Sequence, residues 1–105
     1  MADMPATIMI NGVTWSIQTL TSAELFTDSK LNLLGQCKNS EAQIHVRDDL
    51  PASRARGVVW HELLHAIETD AGFDLEETQV RALAGGLFGV LRANPALASW
   101  LLETE

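Results

Sequence analysis

The chain is poor in several things, and each shortage narrows the reading. It has one cysteine, Cys37, so no disulfide can close within it, and a reducing compartment is the simple expectation. Seven Lys and Arg stand against fourteen Asp and Glu, for a formal net charge of −7, and the basic residues are scattered. That argues against nucleic acid or an anionic membrane as partner, because both need concentrated positive charge. No apolar run approaches the ~20 residues of a membrane-spanning helix. The opening stretch, Met1 to Pro5, has neither a basic nor an apolar segment, so no signal peptide is read there and a cytoplasmic location is expected. Repeats, low-complexity tracts and linkers are also missing, so residues 1–105 are expected to form one domain. Hydrophobic residues make up 47% of the chain, enough for a globular core.

What is present divides into strands first and helices after, which predicts an α+β fold. Thr7 to Gln18 alternate in polarity around Asn11-Gly12, two residues that tolerate positive φ, and this predicts a β-hairpin. A short helical turn, capped by Thr21 or Ser22, is expected over Thr21 to Phe26. A second antiparallel pair is expected from Leu31–Lys38 and Ala42–Arg47, with Asn39-Ser40 as the turn. In its second strand Ile44 and Val46 face one way, and Gln43, His45 and Arg47 the other. Pro51 suits the start of a long helix, Ala52 to Ala71, and Gly72 suits its left-handed end. Val59, Leu63, Ala66 and Ile67 form one apolar stripe of that helix, and Trp60, Leu64 and Ala71 a neighbouring one. Asp74 is placed to cap a second helix, Leu75 to Ala93. Its Gly85, Gly86 and Gly89 suggest close approach by another backbone. A short last helix, Pro95 to Leu102, is expected to close the core with Leu97, Trp100 and Leu101.

The chemistry is concentrated at His61-Glu62-Leu63-Leu64-His65. On a helix, His61 and His65 lie one turn apart on one face with Glu62 beside them. Two imidazoles so placed can share a zinc ion, while the carboxylate reaches a metal-bound water. A catalytic zinc needs a third protein ligand. The metzincin pattern is excluded, because Glu68 and Ala71 stand where its glycine and third histidine would be. Asp74, Glu76 and Glu77 are the remaining acids in range, since a turn at Gly72-Phe73 folds the next helix back beside His65. Glu77 shares the core-facing stripe of Val80 and Ala84 and is the expected ligand. Glu76, about 100° away, is the reserve. Glu77 could instead complete a capping box with Asp74, and the histidines could be packed helix residues with hydrogen-bonded rings. Cys37 reads as a strand residue and Glu68 as an exposed or supporting acid. Arg54 and Arg56 read as a solvated face that pairs with Asp48 or Asp49.

At these residues the chain resembles a gluzincin-type zinc metallopeptidase. His61-Glu62-Leu63-Leu64-His65-Ala66-Ile67, then Glu77, Val80, Leu83 and Ala84, then Asn94-Pro95, looks like the small phage and prophage HExxH proteins. These are distant relatives of the peptidases that cleave phage or mobile-element repressors. The resemblance covers residues 43 to 101. It implies a zincin-like helical half, Zn2+ as cofactor, and a protein or peptide substrate. It implies His61, His65 and Glu77 as ligands, Glu62 as catalytic acid/base, and Gln43 to Arg47 as the edge strand against which substrate lies. Many gluzincins carry a Tyr or His across the cleft to stabilise the oxyanion. This chain has no tyrosine, so His45 or an arginine is the candidate for that contact. Larger relatives also have a second lobe that 105 residues leave little room for. A zinc-binding regulatory protein and a metal-free helical interaction domain are the rival readings.

Overall fold

The computed structural model describes residues 3–103, so Met1 and Ala2 of the opening stretch lie outside it. Strands β1 (Thr7–Ile10) and β2 (Val13–Leu20) pair antiparallel with Ile10 opposite Val13. Asn11 and Gly12 make the turn at φ 46° and 84°, a conformation both residues tolerate. Thr21 caps helix α1 (Ser22–Ser29), which is longer than the single turn expected. Its hydroxyl accepts the Glu24 N–H at 3.1 Å, and the Glu24 carboxylate accepts the Thr21 N–H at 2.9 Å. Strand β3 (Gly35–Lys38) is shorter than expected; a 3-10 turn over Asn39–Glu41 then leads into β4 (Gln43–Arg47).

The fold is α+β, with one four-stranded mixed sheet in the order β1-β2-β4-β3. β4 lies inside the sheet, parallel to β2 and antiparallel to β3. The N-terminal half is therefore not two separate antiparallel hairpins, and Gln43–Arg47 is not an edge. β3 is the edge instead. Burial explains the placement: Ile44 and Val46 are 0% and 1% exposed, and His45 on the opposite face only 7%. A strand covered on both faces belongs in the middle of a sheet.

The two sheet faces differ in chemistry. Trp15, Ile17, Ile44 and Val46 build the core with Ile10 and with Ala66 of helix α2 (Ala52–Ala71). The other face presents Ser16, Gln18, Gln36, Gln43 and His45, and α1 reaches it through Asp28, which binds Gln36 and Lys38. Helix α2 has the predicted limits, with Gly72 at φ 76°. Val58, Val59 and Leu63 pack on the core, whereas Ile67 and Ala71 are exposed, because four strands cover a narrower arc than both stripes.

Helix α3 (Glu77–Ala93) runs back along α2, with Glu77 beside His65 and Phe88 stacked 5.9 Å from Trp60. It buries Val80 and Ala84. Helix α4 (Pro95–Leu101) packs mainly on α3 rather than on the sheet. Leu97, Trp100 and Leu101 are exposed, so they do not close the core as expected. The glycines of α3 also differ from expectation: nothing lies within 4 Å of a side chain built at Gly85, Gly86 or Gly89. The close approach occurs at Gly35, where a Cβ would lie 2.5 Å from Val58 Cγ1 and 2.7 Å from the His45 carbonyl. Among the described residues, no helix is long and apolar enough to cross a membrane.

Candidate metal centre

The long apolar helix α2 carries His61 and His65 on one face, and their rings meet edge to face at 4.9 Å. The chain turns at Gly72 and sets Glu77 in the first turn of α3, opposite them. Its carboxylate lies 2.7 Å from His61 Nε2 and 3.2 Å from His65 Nε2, and the two Nε2 atoms are 3.2 Å apart. Each carboxylate oxygen of Glu77 thus faces one imidazole, and one donor atom from each residue lies within 4.8 Å of the other two, close enough for the three to meet at one metal ion. Two imidazoles and a carboxylate are also a donor set that zinc accepts. The trio is the metal-capable group among the described residues.

Glu68 supports the trio. Its carboxylate lies 3.1 Å from His65 Nδ1 and also accepts the Leu75 N–H. With the ring proton on Nδ1, the Nε2 lone pair of His65 is free to face the cluster. The Leu75 N–H, followed by His65, holds the Glu68 carboxyl below the usual carboxylate range. Glu68 is only 8% exposed, and it ties His65 on α2 to the turn that delivers Glu77 on α3. Of the two roles its sequence position allows, exposed or supporting acid, it has the supporting one. Its spacing from His65 was visible, but the bond to Leu75 depends on the path of the turn.

Glu62 sits under β3, 7% exposed, with its Cγ 3.5 Å from where a Gly35 side chain would begin. Burial pushes its carboxyl up to about 7, against a lowering by His65, with a further rise from Glu77. A carboxyl near neutral pH can both take and return a proton. Gly35 was not singled out in the sequence, since a lone glycine outside a turn signals nothing until its neighbours are known.

The other sequence candidates fall elsewhere. His45 lies on the sheet face opposite α2, because strand alternation sends it away from Ile44 and Val46. Its Nδ1 accepts from Gln36 at 2.8 Å and its Nε2–H donates to Gln43 at 3.0 Å. Burial holds its pKa down, with Lys38 adding to the effect. It is therefore a satisfied structural histidine and does not reach the cluster as an oxyanion or substrate contact. Glu76, the reserve ligand, is the cap residue of α3 in place of Asp74, and its N–H donates to Gln79 Oε1 at 2.9 Å. The capping box between Asp74 and Glu77 does not form. Cys37 is half-buried, and burial pushes its thiol up to about 12, which disfavours the thiolate a metal needs. Asp49 pairs with Arg47 rather than with Arg54 or Arg56.

Two cavities, of about 560 and 450 Å3, meet at the cluster and share Leu33, Gly35, His61, Glu62 and Glu77. The first extends along Cys37, Asn39, Glu68 and Asp74. The second extends along Leu34, Gly57, Val58, Arg54 and Arg81. Together they form a cleft between edge strand β3 and the helices. Comparison of the chain with protein families, with curated proteins and with solved structures gave no match.

Proposed function

We propose that the chain is a minimal zinc-dependent peptidase with a zincin-like arrangement, akin to the small phage HExxH proteins it resembles. The observation that carries this reading is the convergence of His61, His65 and Glu77, with one donor atom from each within 4.8 Å of the others, next to the buried carboxyl of Glu62. His61, His65 and Glu77 would hold the zinc. Zinc bound there would supply a Lewis acid that brings a water to a pKa of about 7 and polarises a peptide carbonyl. Glu62 takes the proton of the attacking water and returns it to the leaving amine. Glu68 keeps His65 in the tautomer that donates from Nε2. The free edge of β3, which replaces Gln43–Arg47 in this role, offers backbone N–H and C=O groups to an extended substrate.

The test is Glu62→Gln. It should keep one zinc per chain and lower cleavage of an unfolded protein by at least about 10²–10⁴-fold, the usual contribution of a positioned general base. Cleavage at the wild-type rate would remove Glu62 from this role. A second reading, a zinc-binding regulatory protein without general proteolysis, is favoured by one feature. The chain has no tyrosine, and His45 faces away from the cluster, so of the expected oxyanion partners only an arginine of the cleft wall, Arg54 or Arg81, is left. That reading predicts bound zinc in the wild type and no cleavage across a peptide library.

A further inference from the structure

The cleft is polarised in charge, and we infer that its second cavity is a subsite for a carboxylate carried by the substrate, C-terminal to the scissile bond and two or three residues from it. The inference rests on the peptidase reading and specifies its substrate class. Two of the seven cationic residues, Arg54 and Arg81, line this cavity, and none lines the first, where Glu68 and Asp74 lie instead. Glu62 and Glu77 border both cavities, so the two arginines offset these acids in the second, whereas the first has four acids and no Lys or Arg.

Neither arginine is neutralised by a close partner. Among the described residues Arg54 forms no ion pair, and the contact of Arg81 is a loose one, Nε to Glu77 at 3.6 Å. By contrast Lys38 and Arg47 are paired with Asp28 and Asp49, and Arg92 lies over Phe88. The first turn of α2, which holds Arg54, has no acidic side chain, so the positive helix end adds to the same potential. Leu33, Leu34 and Val58 in the wall are half-buried apolar groups, while both arginine side chains reach into solvent, that of Arg81 being 71% exposed. Two arginines set against apolar walls can bind a carboxylate through several charge-assisted hydrogen bonds.

Helix geometry gives the register. Arg54 precedes His61 by seven residues, about 10 Å along the axis, and Arg81 follows Glu77 by four, about 6 Å. An extended peptide covers these distances in two to three residues at about 3.3 Å each. Strand direction gives the polarity. β3 runs from Gly35, beside the second cavity, to Lys38, towards the first. A peptide paired antiparallel to it, the more stable pairing, therefore runs its C-terminal side into the basic end. The carboxylate can be an Asp or Glu side chain or the terminus of the peptide itself.

The experiment measures peptide binding to zinc-loaded Glu62→Gln protein and, in parallel, cleavage by the wild type. The probes are otherwise identical peptides with Asp, Asn or Lys three residues after a fixed centre, and shorter peptides ending there as free acid or as amide. The Asp peptide or the free acid is expected to bind about tenfold more tightly than its neutral counterpart, with Lys weakest. Arg54→Gln and Arg81→Gln together should erase the discrimination with zinc content unchanged, while Arg56→Gln, on an exposed residue outside the cavity, should retain it. A preference for Asp over Asn alone assigns the side chain, and for acid over amide alone assigns the terminus. Equal binding of all probes, no binding of any, or discrimination that survives the double substitution would overturn the subsite. Charge-selective binding without cleavage would overturn only the peptidase reading, and cleavage without charge preference only the subsite.

Discussion

Helix α2 meets β3 on one flank and α3 on the other, and the two contacts are built differently. Against β3 the contact at Gly35 is tight, although the cleft opens beside it. The backbone at Gly35 sits so close to Val58 and to the His45 carbonyl that a single methyl would collide, and Glu62 beneath it is almost fully covered. Against α3 the fit is open. Val80 and Ala84 are buried, but Leu83, Leu87 and Val90 are 46–50% exposed, and the Glu77 side chain is 49% exposed. Glu62 is thus fixed by packing, whereas Glu77 is held by a polar turn and by the histidines it faces. An ion shared by α2 and α3 would supply on the open flank the cohesion that packing supplies on the closed one.

The largest expected effect follows from removing that ion. Zinc at a thousandfold excess over its dissociation constant stabilises by about 4 kcal/mol. Chelation should therefore raise amide hydrogen exchange most in α3 and α4 and least in β2 and β4. Equal loss of protection in both regions would erase the contrast between the flanks.

The next effect concerns the closed flank and pH. In metal-free protein the Glu62 carboxyl is raised to about 7 from an ordinary 4.5. Between those values the folded chain holds a proton that the unfolded chain has released, so stability falls as pH rises through this window and levels off above it. The loss is of order 3 kcal/mol. Denaturant unfolding of metal-free wild type and of Glu62→Gln at pH 5 and pH 8 isolates it, because only the wild type carries this component of the slope. Parallel profiles would mean that β3 does not desolvate Glu62.

The smallest effects set the same change against itself on the two flanks. Gly35→Ala overpacks β3 against α2 and should cost about 1–3 kcal/mol by thermal or denaturant unfolding. Gly86→Ala meets open space on α3 and should stabilise by about 0.5–1 kcal/mol. Effects of the same sign at both sites would contradict the difference in packing.

Much of this was readable in the sequence, and what was not has physical causes. Asn11-Gly12 and Gly72 were recognisable because positive φ is a local property. The ends of α2, and Glu77 facing His61 and His65, followed from helical period and one tight turn. Strand order was not readable. Alternation in Gln43–Arg47 tells which residues share a face, not which strands flank it, so it could not correct the edge position that the family resemblance implies for β4, nor the place of His45 in the cleft. The apolar residues of α4 looked like core because hydrophobicity marks what can be buried, not whether a partner surface exists. Helix α3 begins at Glu77 because Glu76, rather than Asp74, takes the cap position, a choice between neighbouring acids that propensity does not separate.

The most direct measurement is zinc binding by the wild type, Glu77→Gln and Glu76→Gln, titrated at pH 7.5 with the metal content of each purified protein determined. One zinc per chain is expected in the wild type and in Glu76→Gln, with affinity reduced by at least tenfold in Glu77→Gln. A wild type that binds no zinc, or a Glu77→Gln protein that binds it as tightly as the wild type, would contradict a metal centre shared between α2 and α3.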